Sequence, residues 1–547
     1  MLQEDVLRCP KLENRYSCIP CEELASIDRQ ISEAETLLAA LRAKRRTICN
    51  QRNRTHDPVT SELPVEIVSQ IFTNILPIDV DRRYTIPTKH QNRTQSRSQS
   101  EGILTTPVVL GAVCTSWRTI SWSISQLWAT ISIDISCFYK NYIDLLREWL
   151  SRSGERPLYI LITKSDYREN IYDPSIFDII CQYRHRWFYL DLGFTFPPAA
   201  LAYACQNIGH AVMLDTLKIR ANTSNYVLNL NNVCNLRSLY MTSLDPSQLR
   251  NANYRQLTRV EGDIPSIDAF FLLFLQAPFL THCTFSIREG SIQESHKTRT
   301  IIQHTHLIFL DITSYRTKTT EVALSRIQFP ALIHLSSPWF DVGFVLDIIQ
   351  RSSCKLASLK IDYKIDSLKD EVRLNEFLAR IPSLELLQIS GLPSRHPIDF
   401  LFTKLSATAV NQIIFNEAQL LPNLRKLFIR SFRWSWAYVL GLIFEHSSNM
   451  SAAIHAEKST GDYAHVRPLH SLHLDLWDGD RATDHFRIEP FIARKLYTTI
   501  EQSRIEVKIR IFNYRGESTV LPLKKYLQEC FRINESESDD PQDGLVI

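Results

Sequence analysis

The chain has 547 residues, of which 44% are hydrophobic and 22% charged, and its formal net charge is only +3. At roughly 150 residues per domain, that length predicts three or four units or a repeat array, and so small a charge gives no electrostatic reason for a nucleic-acid or anionic-membrane partner. No apolar run reaches the roughly 18 residues of a membrane span, and the N-terminal MLQEDVLRCPKLENR is charged where a signal peptide needs an apolar core, so the 12 cysteines are expected as reduced thiols in an intracellular protein, cytoplasmic, nuclear or both.

The first periodic segment is CEELASIDRQISEAETLLAALRAKRRTICN, 21–50. Leu24, Ile27, Ile31, Ala34, Leu38, Leu41, Arg45 and Ile48 alternate steps of three and four, the seam of a heptad pattern. Two readings follow: a helix packed on its own chain or in a short helical pair, and a self-associating coiled coil. The cations of RAKRR and RNR suit a helix C-terminus or a nuclear address. THDPVT then breaks the helix, because the residue before Pro58 is pushed out of helical geometry. SELPVEIVSQIFTNIL reads as the next helix, capped by Ser61 with Pro64 in its first turn, Ile67, Ile71 and Ile75 along one face, and Val68 and Phe72 beside them.

Residues 79–106, including KHQNRTQSRSQSEG, have almost nothing to bury and are expected as a disordered insertion. In VVLGAVCTSWRTISWSISQLWATISI, 108–133, Val109, Val113, Trp117 and Ile120 recur at helical spacing before WATISIDI alternates as a strand. NYIDLLREWLSRSGERPLYILI reads as helix, Gly turn and strand. From about residue 187 a frame Leu-x-x-Leu-x-(Ile/Leu) takes over: LDTLKI from Leu214, LRSLYM from Leu236, LIFLDI from Leu307, LASLKI from Leu356, LELLQI from Leu384, LRKLFI from Leu424 and LHSLHL from Leu469. Weaker copies start at Leu257, Leu280 and Leu332, and WFYLDL from Trp187 is a candidate opening copy. Successive starts from Leu214 to Leu384 lie 21–28 residues apart, within the roughly 20–29-residue period of leucine-rich repeats; the next two gaps are 40 and 45. Each frame supplies a short strand whose leucines enter a stacked core, while the residues between them point to the other face.

Two motifs around the insertion carry a resemblance. LPVEIVSQIF (63–72), AVCTSWRTI (112–120) and LW (127–128) resemble the F-box pattern of a Leu-Pro-x-Glu helix ending near Phe, a Val-Cys-x-x-Trp-Arg helix and Leu-Trp. With the upstream heptad helix, SRSGERPLYI and the leucine-rich strands, the layout is similar to fungal F-box proteins, although the insertion departs from a compact F-box. The resemblance implies an α/β chain: an N-terminal helix, a small all-α F-box, then a leucine-rich-repeat-like solenoid with a curved parallel sheet and outer helices. The expected divisions are a tail over 1–20, the heptad helix over 21–54, the F-box over 58–130, a linking α/β segment with a first repeat over 131–200, the leucine-rich-repeat-like domain over 201–530 and an acidic tail over 531–547. The resemblance further implies that Leu63, Pro64, Glu66, Ile67, Ile71, Phe72, Val113, Cys114, Trp117 and Arg118 dock a Skp-type adaptor, which joins F-box proteins to a cullin–RING ubiquitin ligase.

Strand alternation nominates Lys218, Arg220, Ser238, Tyr240, Asp311, Lys360, Asp362, Lys426, Phe428, Arg430, His473 and Asp475 as faces for an unknown protein substrate. Enzyme chemistry is not advertised. Cys18 and Cys21 make one CxxC with no second ligand pair, and His304, His306, His470 and His473 have no Cys or carboxylate cluster, so no metal is expected. There is no phosphate-cradling Gly-rich loop or nucleophile elbow, and no cofactor is expected. The basic run at 42–54 lacks the interleaved aromatics of a nucleic-acid site. The expectation is a substrate-recognition subunit of an SCF-type ligase; the alternative is a leucine-rich-repeat scaffold that recruits no ligase.

Overall fold

The structure, a computed structural model, describes residues 19–55, 57–75, 106–134, 142–163, 175–193, 198–220, 228–230, 232–244, 249–250, 252–287, 301–313, 317–338, 341–390, 398–406, 420–430, 435–443, 469–477, 488–502, 505–512, 518–521, 524 and 527–528. The insertion expected over 79–106 (but for its last residue), Cys18, most of the N-terminal tail and the acidic tail over 531–547 lie outside the described residues. Two compact units divide the rest. One holds the described residues up to 75 together with 106–130 and 148–156; the other holds 131–134, 142–147 and what is described from 157 onward.

The first unit is helical: α1 (Ile19–Thr55), α2 (Pro58–Glu62), α3 (Val65–Ile75), α4 (Thr106–Val113), α5 (Thr115–Ser123) and α6 (Ser125–Trp128). Where its side chains are described, α1 buries none of them. Ser61 lies inside α2 rather than at the start of α3; Asp57 caps α2, and Pro64 closes the first turn of α3 by accepting from the Ile67 and Val68 amides at 3.0 and 3.1 Å. The helical spacing across Val109–Ile120 spans two helices rather than one. Cys114 interrupts it in extended geometry (φ −155°, ψ 173°), its Sγ accepting from the Trp117 amide at 3.4 Å as an N-cap. After α6 the helix Tyr142–Arg152, a turn at Gly154 with φ +55° and the strand Leu158–Thr163 follow as the sequence predicts. The left-handed φ is one that glycine adopts without a Cβ clash.

The second unit is a mixed α/β structure built on one 15-stranded sheet whose strands lie in chain order. Every neighbouring pair from Leu158–Thr163 to Glu506–Phe512 is parallel, and Ser518–Leu521 closes the far edge antiparallel. Sequential parallel order of this kind is that of a solenoid-like α/β fold. Each of the ten leucine frames, the three weak ones included, forms one strand, and WFYLDL forms another. The sheet also takes in Thr130–Asp134 and Leu158–Thr163, ahead of the expected start at 201, and Glu506–Phe512, whose EVKIRIF lacks the leucine frame.

Register explains the periodicity. Leu217, Leu239, Val260, Cys283, Leu310, Leu335, Leu359, Leu387, Leu427 and Leu472 stand side by side across the strands, all nearly inaccessible. At Gly262 the third apolar position of the frame is empty of side chain, because a Cβ would run into the Met241 carbonyl and Leu244. One carbonyl of each repeat accepts two successive amides of the next: Asp215 from Arg237 and Ser238, Arg237 from Thr258 and Arg259, Thr258 from Thr281 and His282. Helices connect many of the strands, and their ends are tied across repeats. Buried Glu371 in the helix Leu368–Ala379 accepts the Leu401 amide of the helix Asp399–Ser406 at 3.0 Å, and Asp399 accepts the Ser435 amide at 2.7 Å. The first eight residues of the apolar stretch AFFLLFLQAPFL (269–280) lie in the helix Ile267–Gln276, where Phe270 and Phe274 pack on Phe285 and Phe329. Among the described residues no helix is long and apolar enough to cross a membrane.

Leu359 is fully buried and its neighbour Lys360 points to the opposite, accessible face. Leu359→Ala is therefore expected to destabilise the sheet unit by about 2–5 kcal/mol, whereas Lys360→Ala changes stability by less than about 0.5 kcal/mol, both read from urea unfolding.

Candidate docking surfaces

In the helical unit, one carboxylate organises the local structure. Asp57 Oδ1 accepts the Val59 and Thr60 amides at 3.1 and 3.4 Å; Oδ2 accepts the Thr60 hydroxyl and, from 60 residues further along, the Trp117 indole N–H at 2.9 Å. The Cys114 thiol approaches the same oxygen at 3.8 Å. Partial burial works against the charge on Asp57, but the hydrogen bonds from Thr60, Trp117 and Val59 outweigh it and hold the carboxyl below its usual pKa. Trp117 in turn lies 4.8 Å from Phe72, ring centre to ring centre, which fixes α3 against α5. A second aromatic cluster backs the first: Trp128 meets Trp149 edge-on at 4.8 Å and donates to the Ser121 carbonyl, and Arg152 lies 4.0 Å over Trp122.

These contacts sort the ten sequence-derived docking residues. Phe72 and Cys114 are buried and Trp117 is half-buried, so all three are committed to the unit's interior. That corrects the assignment of Phe72 and Cys114 as partner-facing groups, since both are covered within the unit; Trp117 spends its indole N–H on Asp57 and packs its ring on Phe72. Arg118 is accessible but anchored, its Nε donating to the Gly111 carbonyl at 2.7 Å. Leu63, Pro64, Glu66, Ile67, Ile71 and Val113 are exposed. With Val65 and Val108, and with Ile75 and Val109, which the sequence places at helical spacing but not among the docking residues, the aliphatic members are each 38–57% accessible. An amphipathic helix has a use for one apolar stripe; α3 buries Val68 and Phe72 and leaves Ile67, Ile71 and Ile75, four residues apart, facing outward. Scattered exposed aliphatics need no explanation, but a row of them is a feature of interaction surfaces.

On the sheet unit, register brings six of the twelve nominated positions into one column. Asp191, Lys218, Tyr240, Glu261, Thr284, Asp311, Ser336, Lys360, Gln388, Phe428, His473 and Lys508 lie side by side. Asp362, Arg430 and Asp475 share a second column, Ser238 and Lys426 belong to a third, and Arg220 lies just past its strand. Two nominations fail as presented groups. Lys218 is buried, its ammonium 5.2 and 4.3 Å from the rings of Tyr189 and Tyr240, and Asp475 is buried in a bidentate pair with Arg510 at 2.9 and 3.1 Å. Arg220 is half-buried and spends one nitrogen on Asp191 at 3.0 Å. Burial raises the pKa of Asp191 despite Arg220 and Lys218 beside it, which marks this end of the face as a desolvated internal network.

The accessible part of the face is amphipathic. His282 stacks on Phe309 at 5.6 Å, Phe309 lies 6.1 Å from His334, and Phe428 meets His473 edge-on at 4.3 Å. Burial, with Arg259 and His334 near His282 and Lys508 and Arg510 near His473, lowers the pKa of both histidines and keeps them neutral at physiological pH. Lys426 and Arg430 stand two residues either side of Phe428 on its strand, and Lys360 lies in the column of Phe428 two strands away. Among the described residues no group of three or more His, Cys, Asp or Glu side chains could hold a metal ion. Cys283 and Cys205 are buried thiols whose pKa burial pushes far up, to about 11 for Cys205, the opposite of a nucleophile's requirement.

The Asp57 clamp makes a specific prediction. Its folded pKa is depressed, so its contribution is complete above the usual carboxylate range and is lost as pH falls through the folded value. Asp57→Ala is expected to cost about 1–3 kcal/mol at pH 7, with the difference from the parent protein shrinking as pH falls below the usual carboxylate range, as read by thermal unfolding followed by circular dichroism. No protein-family model matches this chain, and no curated protein matches it.

Proposed function

We propose that the chain is a non-catalytic recognition subunit of an SCF-type ubiquitin ligase. In this reading the helical unit is an F-box that docks a Skp-type adaptor, and the sheet unit is a leucine-rich-repeat array that holds a protein target. The observation that carries the proposal is the exposure of aliphatics at α3 and α4: Leu63, Val65, Ile67, Ile71 and Val113 fall within the two F-box-like motifs, in family order, and Ile75, Val108 and Val109 flank them. Desolvating such aliphatics is a favourable term in association, roughly 25 cal/mol per Å² of apolar surface removed from water.

Accessibility supports a narrower set of docking residues. Leu63, Pro64, Ile67, Ile71 and Val113 supply apolar contact, and Glu66 supplies charge at the start of α3. Phe72, Cys114 and Trp117 hold the helices in place from inside. Target binding is assigned to the accessible aromatic and basic positions of the sheet: Phe309, Lys360, Lys426, Phe428, Arg430 and His473. Aromatic anchors with Arg nearby are the residue types that concentrate binding energy at protein interfaces.

The test is capture of a purified Skp-type adaptor by the full chain. Ile67→Glu combined with Ile71→Glu is expected to weaken capture at least about 30-fold while leaving helicity unchanged, since neither side chain is part of the core. Undiminished capture by the double variant would remove the docking assignment. No capture by the parent chain would favour an interaction scaffold that recruits no ligase.

A further inference from the structure

The heptad helix α1 is independent of both surfaces above. It runs 37 residues, about 55 Å, and its seam residues Leu24, Ile27, Ile31, Leu38, Leu41 and Ile48 are 46–59% exposed. Among the described residues nothing buries that seam, so packing on them does not account for the pattern. The helix is also electrically divided. Glu22, Glu23, Asp28, Glu33 and Glu35 lie in its first half with only Arg29 opposing them, and Arg42, Lys44, Arg45, Arg46, Arg52 and Arg54 lie in its second half with no acid.

We propose that α1 pairs with α1 of a second copy of this chain as an antiparallel two-stranded coiled coil. The register sets Leu24 against Ile48, Ile31 against Leu41, and Ala34 against Leu38 of the other copy. Heptad geometry with charge decides the orientation. In a parallel, in-register pair the two Arg45 residues meet in one core layer and Glu23 faces Asp28, both repulsive, and no flanking pair attracts. In the antiparallel pair Arg45 shares its layer with Ile27 and lies beside Asp28, Asp28 faces Arg42, and each acidic half lies along a basic half. The two Glu35 carboxylates meet at the two-fold axis, where Leu37 also meets Leu37 and adds apolar contact.

The register has a built-in reporter. Cys21 and Cys49 both occupy the position that follows the second core residue of a heptad, and in the antiparallel pair each faces the other across the interface. Within one helix they are about 42 Å apart, so a short linker between them must join two copies. Sedimentation velocity of the full chain is expected to give twice the chain mass. Treatment with a short bismaleimide, followed by peptide mass spectrometry, should give Cys21–Cys49 cross-links. Leu38→Asp should weaken self-association at least about tenfold. A monomeric parent chain, cross-links confined to Cys21–Cys21 and Cys49–Cys49, or a dimer that survives Leu38→Asp would each overturn the proposal. Adaptor capture does not enter any of these readouts, so this inference and the proposed function fail separately.

Discussion

Stacking of each repeat on its neighbours is the constraint on which the larger unit depends. A strand of four to seven residues such as Thr216–Ile219 cannot bury Leu217 by itself; Leu190 on one side and Leu239 on the other exclude water from it. Parallel strands in chain order repeat that solution across the sheet, and paired amides on one carbonyl fix the register at each step. Once the leucine ladder is in register, period-two alternation assigns every intervening residue to the other face. The columns of charged and aromatic side chains are thus a consequence of core packing, and their chemistry is free to vary.

The helical unit solves a different problem with fewer residues. Apart from α1 its helices are short, and α2 has only five residues, so polar ties replace buried area. Asp57 caps α2, receives the indole N–H of Trp117 and thereby links segments 60 residues apart in sequence. Phe72 against Trp117 completes the link. Because these groups supply the internal cohesion, the aliphatic row on α3 and α4 is surplus to the fold, and it is this surplus that gives the docking proposal its physical content.

Much of the sheet was legible because its signal is repeated. Even LTRVEG, with glycine at the third apolar position, kept its strand, since Leu257 and Val260 hold the frame and the glycine fits a close backbone approach. EVKIRIF escaped notice because β-branched residues fill the strand without the leading leucines. The break at Cys114 was hidden because cysteine is an unusual helix cap and the spacing of Val109, Val113 and Trp117 imitates one continuous helix. Asp57 could have been found: an Asp-Pro pair just ahead of a helix is a recognisable start, although its tie to Trp117 is a tertiary fact. Lys218 and Asp475 look like ordinary outward residues by alternation. Their burial depends on Tyr189, Tyr240 and Arg510 in neighbouring strands, and alternation within one strand does not include those partners.

Three ideas thus rest on separate parts of the chain: the ladder that stacks the repeats, the clamp that leaves aliphatics outside, and the divided charge of α1. The central one is that the aliphatic row of α3 and α4 is a partner surface. Hydrogen exchange of the full chain with and without a purified Skp-type adaptor tests it most directly. The account predicts slowed exchange over 63–75 and 106–118 and unchanged exchange across the sheet. Binding with protection confined to the sheet, or no protection anywhere, would contradict it.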